Sequence, residues 1–247
     1  MLYKEYGIEN KPTIIFIHGG GVSAWMWDKQ IEFLKNDYRI YTIILDGHGE
    51  DYKNSFKSID DCAVKVTDFI KSKCGGKVFA ICGFSIGAQI TVEILSKEYE
   101  ITDKAIIESA MVIPMGWLTN ISKPLFKVTY PLVKNKYFSK LQAKSMNISD
   151  ELFERYYNES CNLTLDTLSN MGFHNAKYSL PETFSNSKAD ILVLCGSKEI
   201  SNMKRSAEFI VSSNKNSKLL IIEKAGHGIS LQMPDKYIEI ISEFFVK

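Results

Sequence analysis

Gly83-Phe84-Ser85-Ile86-Gly87 sets a serine between two glycines, directly after the apolar run ending at Cys82 and directly before Ile86, Ile90 and Ile94 at helical spacing. A serine on a sharp strand-to-helix turn is held in a strained backbone conformation with its hydroxyl clear of the sheet, and flanking glycines let the chain bend that tightly. The amide of Ile86 begins the helix, so it can face a developing oxyanion with the helix dipole behind it. The chemistry is nucleophilic attack by Ser85. A serine that merely caps the helix is the plain alternative.

A neutral hydroxyl needs a base, and imidazole is the usual one. Of the four histidines, His18, His48, His174 and His227, the last stands in Ala225-Gly226-His227-Gly228, just past the apolar run Leu219 to Ile222, where a loop can return it over a strand end. A base of this kind needs a carboxylate to hold its tautomer. Glu199 follows the run Ile191 to Leu194 in Cys195-Gly196-Ser197-Lys198-Glu199 and is the expected partner; Glu108, at the end of Ala105 to Ile107, is the competitor. Lys198 beside Glu199 leaves open a solvated charge pair. His18-Gly19-Gly20-Gly21 supplies close backbone approach, and its Gly20 amide is the expected second oxyanion donor. A phosphate loop is the rival, but neither Gly-Lys-Ser/Thr nor Gly-x-Gly-x-x-Gly is present there.

These residues need a frame. Ile14 to Ile17, Ile40 to Leu45, Val78 to Cys82, Ala105 to Ile107, Ile191 to Leu194 and Leu219 to Ile222 are short, continuous apolar runs, as in strands covered on both faces. Helical periodicity separates them at Ile59 to Ile70 and Ile86 to Ile94 and closes the chain at Pro234 to Val246. The alternation predicts an α/β fold with a mostly parallel sheet flanked by helices. It breaks between residues 114 and 187, where prolines and aromatics from Trp117 to Phe184 replace strand-like runs. A helical cap inserted into a core of residues 1–113 and 188–247 is expected, with its clearest helices at Asp150 to Tyr157 and Leu163 to Met171; a second structural layer without a binding role is the alternative.

Composition excludes other classes. The 247 residues are 45% hydrophobic and 24% charged, as in globular proteins, and 30 basic against 29 acidic residues leave a net charge of +1. No global field favours nucleic acid or an anionic bilayer. Five scattered cysteines without a Cys-x-x-Cys pair suggest neither a disulfide framework nor a metal site. With charges at Lys4 and Glu5 and no long apolar run, a soluble cytoplasmic protein is expected, needing no cofactor or metal.

His18-Gly19-Gly20-Gly21, Asp46-Gly47-His48-Gly49, Gly83-Phe84-Ser85-Ile86-Gly87, Gly196-Ser197-Lys198-Glu199 and Gly226-His227 together resemble the α/β-hydrolase fold family over nearly the whole chain. The resemblance implies Ser85 as nucleophile, His227 as base, Glu199 as acid, and Gly20 with Ile86 as oxyanion donors, in the family's order of serine, acid, histidine. The turn at Asp46 is shorter than the family's usual Asp-x-Pro-Gly-His-Gly. Serine at position 85 separates the chain from members with an aspartate nucleophile. The expected reaction is hydrolysis of a carboxylic ester, thioester or lactone through an acyl-enzyme, on a small apolar or aromatic substrate, with Trp25, Met26 and Trp27 either walling the pocket or packing in the core. A lyase or carbon–carbon hydrolase using the same groups for proton transfer and a non-catalytic small-molecule receptor stay open as alternatives. The oligomeric state is left open.

Overall fold

The computed structural model describes residues 1–246, apart from the side chains of Trp117, Leu118, Asn120 and Ser122. Seven strands run β1 (Leu2–Gly7), β2 (Thr13–Ile17), β3 (Arg39–Ile44), β4 (Val78–Phe84), β5 (Thr102–Glu108), β6 (Asp190–Gly196) and β7 (Ser217–Ile222). The helices are α1 (Asp28–Leu34), α2 (Ile59–Lys73), α3 (Ile86–Lys97), α4 (Trp117–Val133), α5 (Lys136–Ser145), α6 (Asp150–Asn162), α7 (Leu165–Lys177), α8 (Ser201–Ser213), α9 (Ile229–Gln232) and α10 (Pro234–Val246). One sheet contains every strand, in the order β1-β3-β2-β4-β5-β6-β7. All neighbours are parallel except β1, which runs antiparallel to β3.

The expected α/β architecture is therefore present, and each continuous apolar run is a strand. Ile14, Ile15, Phe16 and Ile17 of β2 are fully buried, two pointing into each of the cores on either side of the sheet. Helix α2 starts where the Ser58 hydroxyl accepts the Asp61 N–H at 3.0 Å, with Asp60 and Asp61 in its first turn and Lys71 and Lys73 in its last, which complements the helix dipole.

Four helices, α4 to α7, occupy the chain between β5 and β6. Helix α4 continues through Pro124 and Pro131, residues that sequence reasoning treats as breaks. It lies so close to α7 that a Cβ at Gly172 would fall 1.9 Å from the Phe126 ring. Trp117 begins α4, but its side chain lies outside the described residues. Among the described residues no helix is long and apolar enough to cross a membrane.

Strand register gathers residues distant in sequence along one sheet edge. Ile17 pairs with Gly83, Phe84 with Glu108, Glu108 with Leu194, and Gly196 with Ile222. The loops beyond those pairs face one another at the carboxyl ends of the strands, where open parallel sheets place their sites.

Candidate active site

Ser85 stands between β4 and α3 at φ 54° and ψ −116°, a conformation that L residues seldom adopt. The glycines around it admit neighbouring backbone. A Cβ at Gly87 would lie 2.3 Å from the Ile17 carbonyl oxygen and 2.5 Å from that of His18, and a Cβ at Gly83 would lie 2.4 Å from the Gly87 oxygen. Without side chains at both positions, α3 can start against the end of β2. The Ser85 N–H donates to the Glu108 carbonyl at 2.9 Å, which ties the turn to β5.

The Ser85 hydroxyl donates to His227 Nε2 at 3.1 Å, and His227 Nδ1–H donates to Glu199 Oε2 at 3.1 Å. Glu199 also accepts, through Oε1, the Ser109 hydroxyl at 2.5 Å and the Gly196 N–H at 3.3 Å. Its side chain is 2% exposed, against 37% for His227. The carboxylate is therefore fixed and dry while the imidazole reaches the opening. Lys198 forms no ion pair with it; the solvated pair weighed from their adjacency is absent among the described residues.

The loops carrying Glu199 and His227 are fastened to each other. Ser197 N–H donates to Ile222 O, Lys198 N–H to Ala225 O and Lys224 N–H to Ser197 Oγ, each at 2.9 Å. A Cβ at Gly196 would lie 2.5 Å from both the Ala225 and Gly226 oxygens, so glycine permits this approach. Ser109, held at φ 56°, and Phe84, whose ring packs 4.9 Å from that of His227, belong to the same arrangement. Local spacing gives no signal for either, because their partners lie far along the chain.

Glu108 is not in this line. It is fully buried behind it, with Oε1 accepting the Ser230 N–H at 3.0 Å at the start of α9, and burial pushes its carboxyl up to about 7. It holds the segment just after His227.

On the other side of Ser85, a Cβ built at Gly19 would lie 3.4 Å from the Ser85 Cβ, whereas Gly20 faces Met171 of α7. The amides of Gly20 and Ile86 donate to no other group among the described residues, which leaves both available. His18 holds this loop. Its Nδ1–H donates to Gly19 O at 2.7 Å and its Nε2 accepts the Leu45 N–H at 3.1 Å, a pattern that needs the neutral ring. Burial lowers His18 to about 3 and the adjacent His48 to about 4.

An opening of about 300 Å³ meets Ser85 and His227, lined also by Met111, Asn175, Lys198, Ile200 and Met203. Trp25 and Trp27, expected as pocket walls, do not line it. Trp27 is core, packed 4.8 Å from Phe16 and 5.9 Å from Tyr237. Trp25 is buried and donates from Nε1 to Glu159 of α6 at 2.8 Å, so it anchors that helix to the core instead. Among the described residues no group of three or more His, Cys, Asp or Glu could hold a metal ion.

Such a line can deprotonate a serine as it attacks an electrophilic carbon, with two free amides nearby for the negative charge. The model of the Alpha/beta hydrolase family matches residues 14–240. The chain is 23% identical over 244 residues to 3-oxoadipate enol-lactonase 1 of Acinetobacter baylyi, covering 96% of this chain and 90% of that protein. It is 27% identical over 85 residues to the pimeloyl-[acyl-carrier protein] methyl ester esterase of Nitrosomonas europaea, which is 34% of this chain and 32% of that relative, about a third of its length. An esterase structure from Exiguobacterium antarcticum superposes with a TM-score of 0.83 at 16% identity, covering 99% of this chain and 95% of that one, a likeness of fold.

Proposed function

This chain belongs to the alpha/beta hydrolase family, and from that premise we propose that it is a serine hydrolase of carboxylic esters, or related thioesters or lactones, with Ser85 as nucleophile, His227 as base and Glu199 as acid. The observation that carries this reading is the hydrogen-bonded line from Glu199 through His227 to a Ser85 hydroxyl that meets an opening. The names of relatives, an enol-lactonase and a methyl ester esterase, support the reaction class.

In this mechanism Ser85 Oγ attacks the carbonyl carbon as its proton passes to His227 Nε2, and Glu199 stabilises the imidazolium. Gly20 and Ile86 amides receive the oxyanion. The bond to the leaving oxygen breaks as Nε2 returns its proton to the alcohol. Water, deprotonated in turn by His227, then attacks the acyl carbon and releases the acid. The helices between residues 114 and 187 act as the cap: Met171 against Gly20 and Asn175 at the opening are the groups by which it reaches the site. A small substrate with an apolar part suits the methionine-lined opening.

Ser85→Ala should lower turnover of activated esters by roughly four orders of magnitude or more while the protein keeps its thermal transition. Retained turnover in the folded variant would reject the nucleophile.

A further inference from the structure

The opening at Ser85 is uneven in character. Met111, Ile200 and Met203 make it apolar, and two polar side chains on its wall, Asn175 and Lys198, lie outside the Ser85–His227–Glu199 line. Lys198 is fixed at its backbone, where its N–H donates to Ala225 O at 2.9 Å, yet its ammonium is exposed and ion-paired with no carboxylate among the described residues. Some lysines elsewhere meet carboxylates, as Lys65 meets Asp46 and Asp61 and Lys71 meets Glu98, and many others meet none among the described residues; what sets Lys198 apart is its place on the wall of the opening that meets Ser85. The one carboxylate on the wall, Glu199, is buried and already accepts from His227, Ser109 and Gly196. A free cation on the lip of an apolar opening attracts an anion whose remainder is apolar.

We propose that Lys198, with the Asn175 amide as a second donor, is a subsite for a carboxylate on the substrate, so that the substrate is an ester or lactone bearing a separate carboxylate across a short apolar spacer. This rests on the hydrolase reading of Ser85. The spacer lies along Met111 and Met203, and the carboxylate accepts from the Lys198 ammonium while the reacting carbonyl sits at Ser85. The group binds substrate and takes no part in proton transfer, so its effect falls on KM.

The test compares esters matched in length and differing in charge, on the full chain. One pair places the carboxylate on the acyl side, the mono-para-nitrophenyl ester of adipic acid against para-nitrophenyl hexanoate. A second pair places it on the leaving alcohol, the para-carboxyphenyl ester of hexanoic acid against the phenyl ester. In at least one pair, Lys198→Met should lower kcat/KM for the anionic ester about tenfold, mainly through KM, and leave the neutral ester within about twofold; Lys198→Arg should restore most of the loss. Equal effects on charged and neutral esters in both pairs, or none, would overturn the subsite. Calorimetric titration of Ser85→Ala with monomethyl adipate and with methyl hexanoate reads the subsite without turnover: binding of the anionic monomethyl adipate should weaken about tenfold on adding Lys198→Met while that of neutral methyl hexanoate stays within about twofold, and no change for the anion would overturn it. Ser85→Ala that still cleaves the neutral ester rejects the hydrolase reading itself. An inert Ser85→Ala beside a wild type indifferent to charge rejects the subsite alone.

Discussion

Around Ser85 the backbone is held by approaches that leave no room for one more carbon, at Gly83, Gly87 and Gly196. The outer side of α4 and α5 is the reverse: Leu125 is 53% and Val128 76% exposed, beside exposed Tyr137 and Leu141. The first region fixes distances between groups on four strand ends, and small errors there are costly to chemistry. The helical segment that carries this exposed side reaches the site from its other side, through α7 side chains such as Met171 and Asn175. Altering strand-end residues should therefore change the rate of the chemical steps, and altering the helices should change which substrate is taken.

The largest contrast is between the two glutamates. Glu199→Gln should reduce kcat by roughly four orders of magnitude, because the amide cannot hold the imidazolium. Glu108→Gln should reduce it by less than about tenfold, since Gln can still accept the Ser230 N–H. Steady-state kinetics of both variants decides this, and the reverse ranking would exchange their roles. Next is Gly87→Ala, whose methyl meets two carbonyl oxygens and should cost about 3 kcal/mol in denaturant unfolding. On the helical side, Met171→Ala should shift kcat/KM between short and long acyl chains about tenfold with kcat changed little. Val128→Ser, at an exposed site, should leave both activity and stability within about 0.5 kcal/mol.

A smaller effect sharpens the comparison through pH. Glu108, raised from 4.5 to about 7 by burial, holds its proton more tightly folded than unfolded, so its contribution is present in acid and lost as pH rises through about 7. His18 and His48, lowered from 6.5 to about 3 and about 4, have the opposite sign: unfolding takes up protons, and stability falls as pH drops below about 6.5. Glu108→Gln should thus gain in melting temperature relative to wild type between about pH 5 and about pH 8. An unchanged difference would mean that Glu108 does not carry that proton.

Legibility in the sequence follows the same division. The parallel strands are readable because burial on both faces demands unbroken apolar runs, whereas β1 hides because it is an exposed edge strand carrying Lys4 and Glu5. Helix α1 is only seven residues long, too short for a clear period, and α4 is hidden because its prolines mimic breaks; α8, whose buried Met203, Ala207 and Ile210 recur at helical spacing, is legible in the sequence but absent from the helices expected from it. Ser85 announces itself through neighbours in sequence. Ser109 acquires meaning through Glu199, 90 residues away, Gly196 through the Ala225 and Gly226 carbonyls of the next strand's loop, and Lys198 through the opening that folding builds beside it. Trp25 and Trp27 illustrate the converse: aromatic type predicts burial, but not which surface is covered.

Covalent capture addresses the nucleophile most directly. An activated aryl ester is mixed with the protein, quenched in acid within the first turnovers, and the acyl group located by peptide mass spectrometry. The account predicts one acyl group per chain on the peptide containing Ser85, no such adduct in Ser85→Ala, and slower formation in Glu199→Gln. Acylation mapped instead to a cysteine or lysine, with Ser85→Ala turning over ester as fast as wild type, would contradict it.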